Sequence, residues 1–147
     1  MFEHILLPTD GSELSMKAVR QGMAFAKGIN ATVTGFHARP HLEYDYYIGL
    51  SRAQPADLEG RDRRLEETSK TILDQVSAEA RKAGVNCDCV AVISDSPFEA
   101  IIAAARERGC DLILMASHGR RGMSAVVIGS VTQKVLTHCT TPVLVMR

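Results

Sequence analysis

Short apolar runs of strand length alternate with segments of helical periodicity along this chain, and that alternation admits few folds. The strand-like runs are His4-Ile5-Leu6-Leu7-Pro8, Ala31 to Ala38, Cys87 to Ile93, Leu112 to Met115 and Pro142 to Met146. They lack strict polar alternation, as strands covered on both faces do. Between them, Ser12 can cap a helix running to about Lys27, with Gly28 as its stop. A polar and aromatic connection, Arg39 to Pro55, precedes a second helix. There Leu58, Leu65, Ser69, Ile72, Val76, Ala80 and Ala83 share one face, and Gly84 stops it. Ser96-Pro97-Phe98-Glu99 reads as a capping box with proline at the first helical position, and Ile101, Ile102 and the alanines at 103 to 105 give that helix a buried face before Gly109. Ser130 opens a last helix, Val131 to His138. Strand and helix in strict turn imply an α/β fold, a doubly wound parallel sheet with helices on both faces.

A chain of 147 residues with 46% hydrophobic content fits one globular domain, residues 1–147, with a substantial core. Lys plus Arg is 17 and Asp plus Glu is 17, so no global positive field exists to hold nucleic acid or an anionic membrane. Met1-Phe2-Glu3-His4 has no basic stretch ahead of an apolar core, and no run of about 18 apolar residues could span a bilayer. A cytoplasmic location is expected. The cysteines, Cys87, Cys89, Cys110 and Cys139, lack a secreted disulfide framework, and reduced thiols are expected. Cys87-Asp88-Cys89 is not the redox CxxC spacing, yet on a strand its thiols share one face. Without a second ligand pair at zinc-like spacing, two small part-buried residues are the favoured reading over a metal or redox site.

Functional chemistry concentrates in Met115-Ala116-Ser117-His118-Gly119-Arg120-Arg121-Gly122 and Gly129-Ser130-Val131-Thr132. Strand, glycine loop and helix start follow in that order. A helix N-terminus carries about half a positive charge and unpaired N–H groups, so a loop folded over it can hold phosphate oxygens. On local sequence alone, a surface loop followed by a capped helix fits as well, and Asp10 after the first strand could simply stabilise the turn into Gly11-Ser12. Arg120 and Arg121 read as solvated loop residues, outside the core site, and His118 as a loop histidine that caps or hydrogen-bonds rather than catalyses.

Gly119 followed nine residues later by Gly129-Ser130, an opening strand ending in Pro8-Thr9-Asp10-Gly11-Ser12, and the closing strand Pro142-Val143-Leu144-Val145-Met146 resemble the universal stress protein family in its ATP-binding branch. That branch has a further glycine where this chain has Ala116. The resemblance implies a five-stranded sheet of order 3-2-1-4-5, reversing between the first and fourth strands. It implies that Pro8, Thr9 and Asp10 line a nucleoside pocket, that Ala38 borders adenine, that Met115 forms another apolar wall, and that Ala116 stands at the site in place of the motif's first glycine. Gly119, Gly129, Ser130, Val131 and Thr132 match triphosphate-binding positions, through backbone N–H groups and the two hydroxyls. The ligand implied is ATP with Mg2+ held through the phosphates, and the assembly a homodimer through the last strand, with Val143 and Val145 at the contact.

An ATP-binding stress-response or regulatory protein is therefore expected, with very slow or no hydrolysis, since no positioned general base is visible. The enzyme alternative is an α/β nucleotide hydrolase or transferase. Against it, the chain has neither Gly-x4-Gly-Lys-Ser/Thr nor Gly-x-Gly-x-x-Gly. The other alternative is an interaction module without nucleotide, for which Tyr44-Asp45-Tyr46-Tyr47 would supply amphipathic contact area. No catalytic residue and no protein metal site is assigned.

Overall fold

The computed structural model describes residues 1–41, 55–119 and 127–147, with residues 55–58 described in their backbone only. Tyr44-Asp45-Tyr46-Tyr47, Arg120, Arg121 and Gly122 lie outside the described residues. Within them the order is β1 (His4–Pro8), α1 (Glu13–Ile29), β2 (Thr32–Arg39), α2 (Pro55–Ala83), β3 (Cys87–Ile93), α3 (Pro97–Glu107), β4 (Leu112–Ala116), α4 (Ser130–His138) and β5 (Val143–Met146). The strands form one sheet in the order β3-β2-β1-β4-β5, every pairing parallel. The implied order and the doubly wound class are both found.

β1 is the central strand because its side chains can face no water. Ile5, Leu6 and Leu7 are each 0% exposed, so both pleat faces of β1 need a covering layer. Ile5 and Leu7 pack with Met16, Val19 and Met23 of α1 and with Val76 and Ala80 of α2. Leu6 turns the other way, with Phe36, Ile113 and Met115, onto Ile101 and Ala105 of α3 and Val135 of α4. Asp111 fixes the register at the start: its carboxylate accepts from the backbone N–H of Glu3 at 2.8 Å and of His4 at 3.1 Å. Burial pushes that carboxyl up, but those two donors outweigh it and hold Asp111 below the usual carboxylate range.

Helix ends follow the sequence with two corrections. Gly84 and Gly109 stop α2 and α3 with φ of 67° and 66°, a region only glycine enters freely. Gly28 does not stop α1; the helix runs through Ile29 and closes on Asn30, whose φ is 58° and whose N–H reaches back to the Ala26 and Lys27 carbonyls. Asparagine supplied the left-handed cap that glycine was expected to give. The capping box at Ser96 is the second correction. Helix α3 starts at Pro97 as expected, but the Ser96 side chain makes no cap bond. The Ser96 N–H goes to Ser94 Oγ at 3.1 Å, so no donor is left there for the reciprocal bond from Glu99. Smaller differences extend β2 to Arg39 and β4 to Ala116.

Two glycines of α1 then separate by environment. A Cβ built on Gly28 meets nothing within 4 Å, whereas one on Gly22 would lie 2.6 Å from Leu7 Cδ2 and 3.2 Å from Leu114 Cδ2. Gly28→Ala is expected to stabilise the protein by a few tenths to about 1 kcal/mol through helix propensity. Gly22→Val should cost about 1–3 kcal/mol through overpacking. Urea titration of both variants checks the contrast, and equal midpoints would contradict it.

Candidate functional site

Neighbouring strands β1 and β4 send their following segments to opposite faces of the sheet, and a crevice opens at their carboxyl ends. A cavity of about 640 Å³ occupies it. Pro8, Thr9, Asp10, Ala38, Met115, Ala116, Gly119, Gly129, Ser130, Val131 and Thr132 all line this one cavity. Residues separated by more than a hundred positions meet there because parallel strands end on the same side.

The turn after β1 is built from a buried polar network. Thr9 N–H donates to the Phe36 carbonyl at 2.9 Å, continuing the β1–β2 ladder one step past its end. Thr9 Oγ1 accepts from the Gly11 N–H at 3.1 Å and lies 2.8 Å from Ser15 Oγ. His37 Nδ1 lies 2.8 Å from the Thr9 carbonyl; a carbonyl only accepts, so this nitrogen carries the proton. Asp10 Oδ1 accepts from the Ser12 N–H at 2.9 Å and from Ser15 Oγ at 2.8 Å. The turn-stabilising role for Asp10 is thus realised on one oxygen. Its other oxygen is turned toward Gly119, where an added Cβ would collide with it.

The other wall is the start of α4. Gly129 is its N-cap, in extended backbone, and offers no side-chain cap bond. Among the described residues, the N–H groups of Ser130, Val131 and Thr132 have neither an intrahelical partner nor a side-chain cap, and they stand at the positive end of the helix dipole. Gly129 itself is held by its N–H to the Ser117 carbonyl at 2.8 Å, which closes the loop after β4 onto the helix start. A Cβ on Gly129 would come within 2.9 Å of His118 Cα and 3.3 Å of the Ser117 oxygen. Close backbone approach, rather than room for a ligand, is thus what already demands glycine at 129.

One assignment needs correcting. The Thr132 hydroxyl, matched to a phosphate-binding position, donates its proton to the Ala116 carbonyl at 2.9 Å while 2% exposed. That proton is committed to joining α4 to β4, so only the Thr132 backbone N–H remains as a donor to an anion. Ser130 is exposed in the first turn of the helix. Ala116 ends β4 without a positive φ, so its backbone does not require glycine.

Several lining residues escaped the sequence reading. His37 and Ser15 come from the α1 and α2 side, Ser94 to Phe98 from the end of β3, and Lys134 from the second turn of α4. Lys134 Nζ stands 5.2 Å over the Phe98 ring and brings a positive charge to the wall. Their signal was topological. The segments leaving β1, β2, β3 and β4 all reach this crevice, with Thr9, Pro40, Ser94 and His118 in its lining. Among the described residues, no group of three or more His, Cys, Asp or Glu side chains could hold a metal ion.

Comparison with known proteins gives one consistent result. A family model described as the universal stress protein family matches residues 1–147. A universal stress protein of Thermus aquaticus is 33% identical over 148 residues, covering 100% of both chains. The universal stress protein MJ0577 of Methanocaldococcus jannaschii is 27% identical over 100% of this chain and 96% of its own. Its solved structure superposes with a TM-score of 0.81 over 99% of this chain and 96% of that one. The universal stress protein of Archaeoglobus fulgidus in complex with dAMP shares the fold at 17% identity and a TM-score of 0.68, over 100% of this chain and 98% of that one.

Thr132→Val, which keeps the shape and removes the hydroxyl, is expected to cost about 1–2 kcal/mol. Gly129→Val should cost more, because its clash is with backbone that cannot rotate away. Thermal unfolding of both variants tests the ranking, and a Thr132→Val protein as stable as the parent would show that the hydroxyl does not brace α4.

Proposed function

Because the chain belongs to the universal stress protein family, we propose that it is a single-domain, cytoplasmic ATP-binding protein with a regulatory or stress-response role and slow or no hydrolysis. The observation that carries this reading is the uncapped start of α4, with its Ser130, Val131 and Thr132 N–H groups, opening on a cavity at the point where the sheet reverses its winding. Phosphates sit at that helix start in the proposal. Gly119 approaches from the facing loop, and Asp10 accepts from the ribose. Adenine lies toward Ala38 and Met115, which offer an apolar wall. Magnesium is held through the phosphates, its usual mode, which calls for few protein carboxylates. A related structure holding dAMP supports an adenine nucleotide for this fold.

A homodimer through β5 accompanies this proposal. Among the described residues β5 is the sheet's edge, paired with β4, and it carries the exposed Leu144 at 37%. An uncharged edge of this kind invites a second copy across a two-fold axis. Leu144 is the exposed side chain, while Val143 packs inward beside Met115 and Val135. Leu144 therefore takes the place of Val143, beside Val145, at the expected contact.

Calorimetry with ATP and magnesium should return an affinity in the micromolar range or weaker. No heat and no thermal shift at millimolar ATP would refute the nucleotide reading and leave the interaction module. Light scattering at tens of micromolar protein should give the mass of a dimer, and Leu144→Lys that of a monomer. A monomeric parent would remove the edge contact from the proposal.

A further inference from the structure

The cysteines divide by sheet face. Cys110 and Cys139 lie in the layer beneath α3 and α4, where burial pushes the Cys110 thiol up to about 11. Cys87 and Cys89 lie on the opposite face, turned toward Val76 and Ala80 of α2, and both are half-buried. Their strand, β3, is the other edge of the sheet, away from the nucleotide crevice's centre at β1 and β4. Cys89 Sγ is 3.3 Å from Ser77 Oγ and 3.8 Å from the Leu73 carbonyl. Gly35 is its register partner on β2. A Cβ there would come 3.1 Å from Cys89 Sγ and 2.6 Å from Val76 Cγ1, so the room beside this sulfur depends on Gly35 having no side chain. The intervening Asp88 faces away and is paired with Arg108 at 2.6 Å.

Two thiols so placed could be joined by a disulfide or by a metal ion, and distance decides between them. Same-face Cβ atoms two residues apart on a strand are separated by about two rises, roughly 6.5 Å. A disulfide needs about 3.8 Å between them. Closing one would pull β3 out of a ladder with β2 that runs from Val33↔Cys87 to Arg39↔Ile93. A metal ion adds roughly 2.3 Å per sulfur and bridges the gap with the strand intact. The described residues supply no third or fourth side-chain ligand. That excludes the tetrahedral set zinc takes and leaves two-coordinate binding, which suits a soft monovalent d10 ion.

We propose that Cys87 and Cys89 form a two-thiolate site for a soft monovalent cation, with the cuprous ion as its biological form. Each S–H bond breaks and its proton goes to solvent. Each sulfur donates an electron pair to the metal, no electron is transferred, and the loaded site carries one net negative charge. Cys87 Sγ lies 3.4 Å from the Asp88 carbonyl, and Cys89 Sγ keeps the Ser77 hydroxyl at 3.3 Å. Ser77 then serves as an outer-shell donor to that sulfur.

The test is an anaerobic titration of reduced full-length protein with cuprous ion buffered by bicinchoninate. The Cys110→Ala/Cys139→Ser protein is expected to bind one equivalent per chain as the parent does, with X-ray absorption reporting two sulfur neighbours. Cys87→Ser and Cys89→Ser should each lose more than the roughly 10–100-fold that removal of an outer-shell partner costs, with unchanged circular dichroism. Should either serine variant misfold, the alanine variant is read in the same way. Parent-like affinity in Cys87→Ser/Cys89→Ser, loss with only one of the two cysteines, or three or more sulfur neighbours would overturn the proposal. None of these outcomes depends on nucleotide binding.

Discussion

A parallel strand whose three middle residues put apolar side chains on both pleat faces is the constraint from which the rest follows. Ile5, Leu6 and Leu7 are fully buried, so β1 needs neighbours in the sheet on either side and helices above and below it. A right-handed crossover places each new strand on one side only, and covering both faces requires the winding to reverse once. The reversal falls beside β1. There the segments leaving β1 and β4 diverge, and a crevice remains that no element of the sheet fills. The cavity is thus a consequence of how the core is covered, and the residues that end β1 and β4 line it whatever their type.

Topology positions the crevice, and a few short-range interactions give it chemistry. Gly129 closes onto Ser117, Thr132 ties the first turn of α4 to the end of β4, and Asp10 and Thr9 share Ser15 across the turn into α1. Each satisfies a buried polar group, which the low dielectric of the site makes costly to leave unpaired. The groups left over are the N–H donors of Ser130, Val131 and Thr132, which helix geometry cannot pair internally. An anion at that point would accept from donors to which the described residues give no side-chain cap.

Most of this was legible in the sequence, because it rests on patterns with a fixed period. The strand runs, the left-handed glycines at 84 and 109 and the glycine spacing of the loop are local signals, and the residues drawn together by the family resemblance do line one cavity. Two of the failures share a physical origin, competition among partners for one hydrogen-bonding group. Ser96 fits a capping box by composition, yet Ser94 reaches its N–H first. Thr132 offers a hydroxyl at a phosphate-binding position, yet the Ala116 carbonyl takes the proton. Gly28 has the composition of a helix stop, but Asn30 supplies the left-handed cap two residues later. His37 was unread because its role depends on a carbonyl 28 positions away in sequence.

Ala116 shows how such competition bears on the departure from the family's glycine pattern. A glycine can be demanded by a positive φ, by close backbone approach, or by space for a ligand. The first does not apply, since Ala116 ends β4 without a positive φ. The second applies to Gly129, pressed against His118, and to Gly119, pressed against the Asp10 carboxylate. At Ala116 the neighbouring backbone is held by the β5 ladder and by Thr132, and the residue is accommodated at 6% exposure. Only ligand space remains as a reason for glycine there. The two glycines the chain keeps are those that folding of the loop requires, and the one it replaces is free of that demand.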